Sequence, residues 1–226
     1  MNKEKIINLN IGCGKGNTEG YFNYDKSYSI ILSKFPMIII KMIFFLRLIA
    51  KQHFDYACFI KKEDIRYCDA RKKIPHKDES VDNIYSSHTL EHLTYYDADR
   101  FLSECYRVLK VSGGIRIVIP NLRLFVEDYL KNKDADKFFD GLEIVQDSHI
   151  KNFSKFQFVF RKILNDGSHH NFMYDEESIK KKLLKNNFKS PKIVIPGQTT
   201  LKNLGKLNLM ERSEEHNKSL YIEAYK

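Results

Sequence analysis

Short apolar runs alternate with longer amphipathic stretches along this chain, an arrangement typical of α/β proteins. Runs rich in β-branched and aromatic residues predict strands at 6–11, 65–69, 81–87, 115–120, 192–195 and 219–225. Between 90 and 109 the apolar residues recur every three or four positions, which predicts a helix ended by Ser112-Gly113-Gly114. Acidic residues at 175–177 begin another helix, which ends near Asn187. Strands separated by helices favour an open, mostly parallel sheet.

A glycine-rich loop follows the first predicted strand. Gly12, Gly14 and Gly16 permit positive φ and a close approach of backbone N–H groups to a ligand. Asn17 stands where a dinucleotide fingerprint has its third glycine, and Asp25 lies only nine residues beyond Gly16, which disfavours NAD. No Gly-Lys-Ser/Thr sequence follows, so a triphosphate-binding loop is disfavoured as well. The pattern favours an adenosyl ligand without phosphates; an ordinary tight turn is the alternative.

The segment 36–50 is unusually apolar. It is shorter than the ~20 residues that span a bilayer, and Lys41 and Arg47 interrupt it. As a helix it must cover its apolar surface with something. We expect a lid or a homodimer contact, and the surface of an anionic membrane is the alternative.

The length, composition and charge of the chain limit its domain organisation, partners and location. With 226 residues and 42% hydrophobic content, we expect a single domain over 1–226. The net charge of +9 is spread along the chain, which fits a solvated basic surface as well as an anionic partner. The cysteines contain no C-x-x-C pair, and strand-like sequence starts by Ile6, which leaves no room for an export signal. The expected location is the cytoplasm.

Six motifs together resemble the class I S-adenosylmethionine-dependent methyltransferases, in particular small bacterial members. They lie at 9–14, 23–25, 68–70, 87–93, 107–114 and 170–175, and they span most of the chain. The resemblance implies a Rossmann-like fold, with an open, mostly parallel seven-stranded sheet that ends in a C-terminal antiparallel hairpin. A helical insertion is expected near 26–62 and a helical elaboration near 121–190. The implied cofactor is S-adenosylmethionine.

The resemblance also implies a cofactor site. The residues that it places there are Asn10, Gly12, Cys13, Gly14, Gly16, Asp25, Asp69, Ala70 and Ser87. Asp25 would accept both ribose hydroxyls, and Asp69 the adenine amino group. The alternative is that both acids cap backbone groups. Asn10 stands where the family often has an acid, and the interval from Gly16 to Asp25 has room for a turn but no regular helix.

Methyl transfer from a sulfonium is a direct displacement, so the protein aligns the acceptor and removes its proton. Histidine is the natural base near neutral pH. We predict His88 and His170 as catalytic and His92 and Tyr174 as substrate-binding, with structural roles as the alternatives for the histidines. His88 and His92 are four residues apart, and on a helix they would share a face. The sequence shows no H-E-x-x-H motif and no third ligand, so we predict no metal.

These observations predict a methyltransferase that O-methylates a small molecule or a cell-surface glycan or lipid-linked saccharide precursor. It would work in the cytoplasm or at the inner face of the membrane. The positive charge suggests an RNA methyltransferase as one rival. The sequence after the fourth strand lacks an Asn-Pro-Pro-aromatic motif and no RNA-binding module is visible, so nucleic acid is disfavoured as a partner. The other rival is a non-catalytic cofactor-binding or membrane-associated accessory protein.

Overall fold

A computed structural model of the protein describes residues 5–143, 169–205 and 218–226. Strands make up one sheet within these ranges: β1 (Asn8–Ile11), β2 (Tyr21–Asp25), β3 (Ile65–Tyr67), β4 (Val81–Ser87), β5 (Leu109–Pro120), β6 (Lys189–Val194) and β7 (Ser219–Tyr225). Their order across the sheet is β3-β2-β1-β4-β5-β7-β6. β1 to β5 are parallel, and β7 is antiparallel to both β5 and β6. The predicted fold class, including the C-terminal antiparallel hairpin, is confirmed.

Helices connect the strands: α1 (Tyr28–Ser33), α2 (Met37–Phe45), α3 (Lys51–Ile60), α4 (Tyr95–Val108), α5 (Leu122–Asn132), α6 (Ala135–Leu142) and α7 (Glu176–Lys185). The first three form the insertion predicted near 26–62. The last three belong to the elaboration predicted near 121–190, of which 144–168 lies outside the described residues. Between Gly16 and β2 the chain makes turns and no helix, as the short interval requires.

Two boundaries differ from the sequence-based expectation. The helix predicted from Leu90 is a single 3-10 turn, Leu90–His92, and the α-helix starts afresh at Tyr95 with the Thr94 side chain as its N-cap. The Gly113-Gly114 pair lies inside β5 and does not end an element. A Cβ on Gly114 would lie 2.3 Å from Leu201 Cδ2, so the glycine lets a loop pack directly on the strand.

The insertion is packed unevenly. Ile30 of α1, Ile60 of α3 and Ile65 of β3 form a small buried cluster beside the main core. α2 buries Ile40 but leaves Ile38 74% and Phe45 84% exposed. No helix in the described ranges is both long and apolar enough to cross a membrane. The apolar segment at 36–50 therefore keeps much of its apolar surface in contact with solvent.

A buried ion pair fixes the C-terminal strand in the sheet. Arg116 of β5 and Glu223 of β7 have no solvent-exposed side-chain surface, and Arg116 Nη1 lies 2.7 Å from Glu223 Oε1. The Thr199 and Thr200 hydroxyls donate to the carboxylate of Glu223, and Arg116 also donates to the carbonyl oxygen of Gln198. Each charge is thus compensated by more than one partner, which burial of charge requires.

Candidate active site

The order of the strands creates a crevice at β1, because the chain proceeds from the sheet on opposite sides of this strand. From β1 the chain continues to β2 and β3 on one side, whereas β4 lies on the other side of β1. Ligands of open α/β sheets bind at such a switch point, beyond the carboxyl ends of the strands. A cavity of about 310 Å³ lies there, lined by residues that follow β1, β2, β3 and β4, among them Gly12, Asp25, Asp69 and His88.

The glycine loop after β1 is held by backbone hydrogen bonds. The N–H groups of Gly12 and Cys13 both donate to the carbonyl oxygen of Tyr24, at 2.8 and 3.1 Å. Gly12 has φ of 74°, and a Cβ there would lie 1.9 Å from Thr89 Oγ1. Glycine at this position is therefore required for the loop after β1 to pass beside the loop after β4. This close approach closes one end of the cavity.

Asp25 and Asp69 both line the cavity, but their carboxylates already have partners. Asp25 accepts the N–H of Gly14 at 3.0 Å on Oδ2 and the N–H of Ser27 at 2.7 Å on Oδ1. Arg71 donates to both oxygens of Asp69 at 2.8 Å, and these hydrogen bonds lower the pKa of that carboxyl. A carboxylate offers about four lone-pair directions, so each acid can still accept a hydrogen bond from a ligand.

Helices α1 and α3 of the insertion cover one side of the cavity. The sequence did not predict that these two helices would do so. Tyr28 at the start of α1 and Gln52 and His53 of α3 line the cavity. The Tyr56 hydroxyl of α3 donates to the carbonyl oxygen of Gly14 at 2.8 Å, which ties the insertion to the glycine loop. The residues of α1 and α3 that line the cavity have the spacing of any amphipathic helix. Nothing in the sequence therefore marks them as cavity residues. The lid expected of 36–50 is thus formed by α1 and α3, whereas residues 36–50 do not line the cavity.

His88 lies at the carboxyl end of β4 and is exposed at the cavity. Its Nδ1 is 3.1 Å from Oε1 of Glu91, whose side chain is completely buried. Because a carboxylate only accepts, His88 donates from Nδ1, and Nε2 is the nitrogen that can take up a proton. His88 has φ of 47°, a left-handed conformation that histidine tolerates better than most residues. The backbone and Glu91 together set the direction of the ring.

The rings of the two other candidate histidines are in contact, with their planes tilted by 54°. His92 lines the cavity, while His170 is buried behind it with ring centroids 4.9 Å apart. His170 donates from Nδ1 to the carbonyl oxygen of Leu142 at 2.7 Å. Tyr174 is part of the main core, and burial raises the pKa of its hydroxyl. Of the four residues predicted as catalytic or substrate-binding, His88 and His92 therefore line the cavity, and His170 and Tyr174 do not.

The predicted cofactor residues also divide into two groups. Gly12, Asp25, Asp69 and Ala70 line the cavity; Asn10, Cys13, Gly14, Gly16 and Ser87 do not. Asn10 supports the loop from below, since its amide donates to the carbonyl oxygen of Gly16 at 2.9 Å and to Asn23 Oδ1 at 3.2 Å. Cys13 packs against the small cluster of the insertion, and burial with the nearby charge of Asp25 raises the pKa of its thiol. These residues shape the loop from outside the cavity.

Comparison with known proteins agrees with this architecture. Residues 9–117 match the model of the family described as Methyltransferase domain. A SAM-dependent methyltransferase from Methanosarcina mazei is similar in fold, at 14% identity over 99% of this chain and 94% of that one, with a TM-score of 0.51. One from Archaeoglobus fulgidus has 18% identity over 99% and 87%, with a TM-score of 0.50. No curated protein matches the sequence.

The matched range contains the glycine loop, the acids after β2 and β3 and the histidines after β4, which are the residues of the cavity and its margins. The sequence motifs, the sheet order and the family match therefore agree. The resemblance to the class I S-adenosylmethionine-dependent methyltransferases is therefore confirmed: residues 9–117 match a methyltransferase domain, and the chain shares the fold of S-adenosylmethionine-dependent methyltransferases.

Proposed function

We propose that the enzyme O-methylates a hydroxyl of a small molecule or of a cell-surface glycan or lipid-linked saccharide precursor, with His88 as general base. The observation that carries this proposal is the 3.1 Å contact between His88 Nδ1 and the buried Glu91 carboxylate, at the cavity wall. This contact orients the His88 ring at the cavity wall. A hydroxyl acceptor needs such a base, because its proton must leave as the methyl group arrives.

The remainder of the cavity suits the cofactor. A cavity of about 310 Å³ is within the range of small-ligand sites. Asp25 and Asp69 stand at the ends of adjacent strands, each with acceptor capacity left for a ribose diol or an adenine amino group. When bound, the cofactor supplies an activated methyl group on sulfur.

His88, Asp25 and Asp69 then have separate tasks. The acids and the loop bind and orient the donor, and His88 holds the acceptor hydroxyl and takes its proton on Nε2. Proton removal by a positioned base contributes about 10²–10⁴-fold in rate. α7 packs on β6, and β6 and β7 belong to the same sheet as β1, so we propose that 1–226 works as one methyltransferase domain.

The test is incubation of the enzyme with S-adenosylmethionine labelled in the methyl group and fractionated extract of the source cells. We expect label in the glycan or lipid-linked saccharide fraction or in a small molecule, in a form resistant to protease and ribonuclease. Label in RNA would instead support the nucleic-acid rival. Cofactor binding with no transfer to any fraction would support a non-catalytic accessory protein.

We propose further that the segment 36–50 is a contact surface and that an anionic membrane surface is its partner. Ile38, Met42 and Phe45 are exposed on α2 beside the cationic Lys41 and Arg47. Exposed apolar residues flanked by cations suit an anionic lipid surface. In a symmetric homodimer, which the sequence favoured together with a lid, Lys41 and Arg47 of both copies would face the same contact and their positive charges would repel one another.

This second proposal predicts that Ile38→Glu with Phe45→Glu leaves folding intact and abolishes cosedimentation with phosphatidylserine vesicles. Phe44→Ala is the contrasting variant, since its ring stacks on Phe54 at 4.6 Å and should affect stability. A chain that is dimeric in solution, and monomeric after the glutamate substitutions without any lipid, would assign the surface to a second copy. That result would overturn the membrane assignment.

A further inference from the structure

Three side chains beside the cavity form a compact group of metal-ligand type. Glu91 and His92 come from the 3-10 turn after β4, and His170 comes from a distant part of the sequence. One potential ligand atom from each lies within 4.8 Å of the other two. The sequence contains no spacing that would indicate this group, because α4, β5, α5 and α6 lie between the pair and the third member.

Backbone hydrogen bonds bring the third member into place. The N–H groups of Asn171 and Phe172 donate to the carbonyl oxygen of Glu91 at 2.7 and 3.1 Å. The Asn171 side-chain amide donates to the carbonyl oxygen of His92 at 2.7 Å. The segment that carries His170 is thereby attached directly to the 3-10 turn. The proximity of the three side chains is consequently built into the backbone and does not depend on flexible side chains.

Both imidazole rings are oriented by carbonyl groups. His92 donates from Nδ1 to the carbonyl oxygen of His169 at 3.0 Å, and His170 donates from Nδ1 to that of Leu142 at 2.7 Å. A carbonyl oxygen only accepts, so each Nδ1 carries the proton and each Nε2 has the lone pair. Histidines that bind metals are held in the same way, with one nitrogen on the metal and the other N–H on a backbone carbonyl or a carboxylate.

The third side chain has an unsatisfied charge-bearing atom. Glu91 has no exposed surface, its Oε1 accepts from His88, and within the described ranges its Oε2 has no hydrogen-bond partner. Burial of a polar atom without a partner costs about 1–3 kcal/mol, and more for a charged group. A cation next to Oε2 would remove this penalty. One imidazole nitrogen each of His92 and His170 lies within 4.8 Å of a carboxylate oxygen of Glu91, and the three atoms make up a set of ligands for such a cation.

We propose that Glu91, His92 and His170 bind one divalent transition-metal ion. Two imidazole nitrogens and one carboxylate oxygen are ligands of Zn²⁺ in three-ligand sites and of other divalent metals of the first row. In a tetrahedral site with bonds of about 2.0–2.1 Å, ligand atoms are roughly 3.3 Å apart. The three atoms must therefore approach one another from the 4.8 Å limit when the ion binds.

The position of the site suggests its use. His92 also lines the cavity, so an ion on its Nε2 lies at the wall on the same side as His88. A three-ligand site leaves coordination positions for water or for a substrate oxygen, and a metal-bound hydroxyl loses its proton more readily. The acceptor class would then be a hydroxyl compound that can coordinate the ion. This role rests on the proposed function, whereas binding of the ion does not.

The experiment uses the full chain and Zn²⁺ alone, without cofactor or acceptor. Metal-stripped protein dialysed against buffered Zn²⁺ should take up one equivalent. Glu91→Gln and His170→Asn should each weaken binding about 100-fold or more, because loss of a mere outer partner of a ligand already costs 10–100-fold. His76→Asn is the matched control, since this histidine bonds the Tyr24 hydroxyl away from the group, and it should retain the ion.

Two further measurements sharpen the assignment. Glu143 Oε2 lies 3.7 Å from His170 Nε2 on a mostly exposed side chain, and Glu143→Gln should retain the ion if this carboxylate is no ligand. Co²⁺ in place of Zn²⁺ should give visible d–d bands without the near-ultraviolet band of thiolate ligation. A thiolate band would place the ion on the free cysteines, of which Cys13 and Cys58 are partly exposed.

Wild-type protein that binds neither Zn²⁺ nor Co²⁺, or an ion that survives both Glu91→Gln and His170→Asn, would overturn the site. Titration with S-adenosylhomocysteine shows which variants are folded. If a variant does not fold, the number of Zn²⁺ ions bound by the wild-type protein still decides whether the site exists. Label transfer is measured separately. A metal-free chain that is active would contradict the role of the ion in the reaction and leave the proposed function standing, while a chain that binds metal and transfers no methyl group would contradict the proposed function only.

Discussion

The two sides of the cavity differ in how completely their polar groups are satisfied. On the side of Asp25 and Asp69, which we propose to bind the cofactor and call the cofactor side, both oxygens of each carboxylate accept hydrogen bonds from the protein. On the acceptor side, Glu91 has a buried oxygen without a partner in the described chain, and His88 has a left-handed backbone. Unsatisfied and strained groups concentrate at functional sites, where a ligand completes them. The cofactor side is thus already organised, whereas the acceptor side has groups for a ligand to satisfy.

The largest effect should come from Gly12→Ala, which disrupts the glycine loop on the cofactor side of the cavity. The new Cβ would lie 1.9 Å from Thr89 Oγ1 at a φ of 74°. Overpacking and the left-handed backbone together should cost about 2–5 kcal/mol of unfolding free energy and abolish binding of S-adenosylhomocysteine. Gly14→Ala is the control, since φ is 50° but the space is open. Urea denaturation and calorimetry measure both effects, and equal losses in the two variants would contradict the steric argument.

A change at His88 addresses the acceptor side. His88→Asn should lower kcat about 100-fold, the lower end of what a positioned base contributes, with little change in cofactor affinity. The physical reason is that the proton is transferred in the transition state and not when the cofactor binds. Steady-state kinetics with the acceptor identified by labelling would measure it. If kcat stays within about threefold, under roughly 0.7 kcal/mol of barrier, His88 has a structural role.

Replacement of either Asp25 or Asp69 should weaken cofactor binding without abolishing it. Asp25→Ala and Asp69→Ala should each reduce affinity for S-adenosylhomocysteine about 10–100-fold, equivalent to the 1.5–3 kcal/mol of a hydrogen bond to a charged group. Asp64→Ala is the matched control, because this exposed acid pairs with Arg66 away from the cavity. Isothermal calorimetry gives the affinities. Unchanged binding in both cavity variants would move the cofactor out of this cavity.

The smallest effect should come from Arg71→Met. The Arg71 hydrogen bonds lower the pKa of Asp69 in the folded chain, so their contribution is complete above the ordinary carboxyl pKa and is lost as pH falls through the lowered value. At neutral pH the variant should lose about 1–2 kcal/mol of stability. The difference between its melting temperature and that of the wild type should shrink below pH 4. A difference that stays constant with pH would assign it to packing of the arginine.

The features that could be predicted from the sequence are those that depend on local patterns, which include the strands and the cofactor side of the cavity. Strands such as Val81–Ser87 and Ser219–Tyr225 have the predicted bounds, because their β-branched and aromatic runs are mostly buried. Gly12, Asp25 and Asp69 could be predicted because each lies at or just beyond the carboxyl end of a strand.

The acceptor side depends on contacts between distant segments. Local patterns suggested that His88 and His92 share a helix, but Leu90–His92 is one 3-10 turn, and the two rings reach the cavity through the loop. The approach of His170 to Glu91 depends on hydrogen bonds from Asn171 and Phe172. Local propensity carries no information about these tertiary contacts.

The position of β7 constrains the order in which the chain can fold during synthesis. β7 is made after β6 yet lies between β6 and β5, so β6 cannot join the sheet until Ser219–Tyr225 has left the ribosome. Until then the edge of β5 is open to pairing with other chains, and Arg116 lacks the Glu223 carboxylate. A messenger truncated before codon 219 should therefore yield an aggregating product that chaperones retain, even though every residue lining the cavity has been translated.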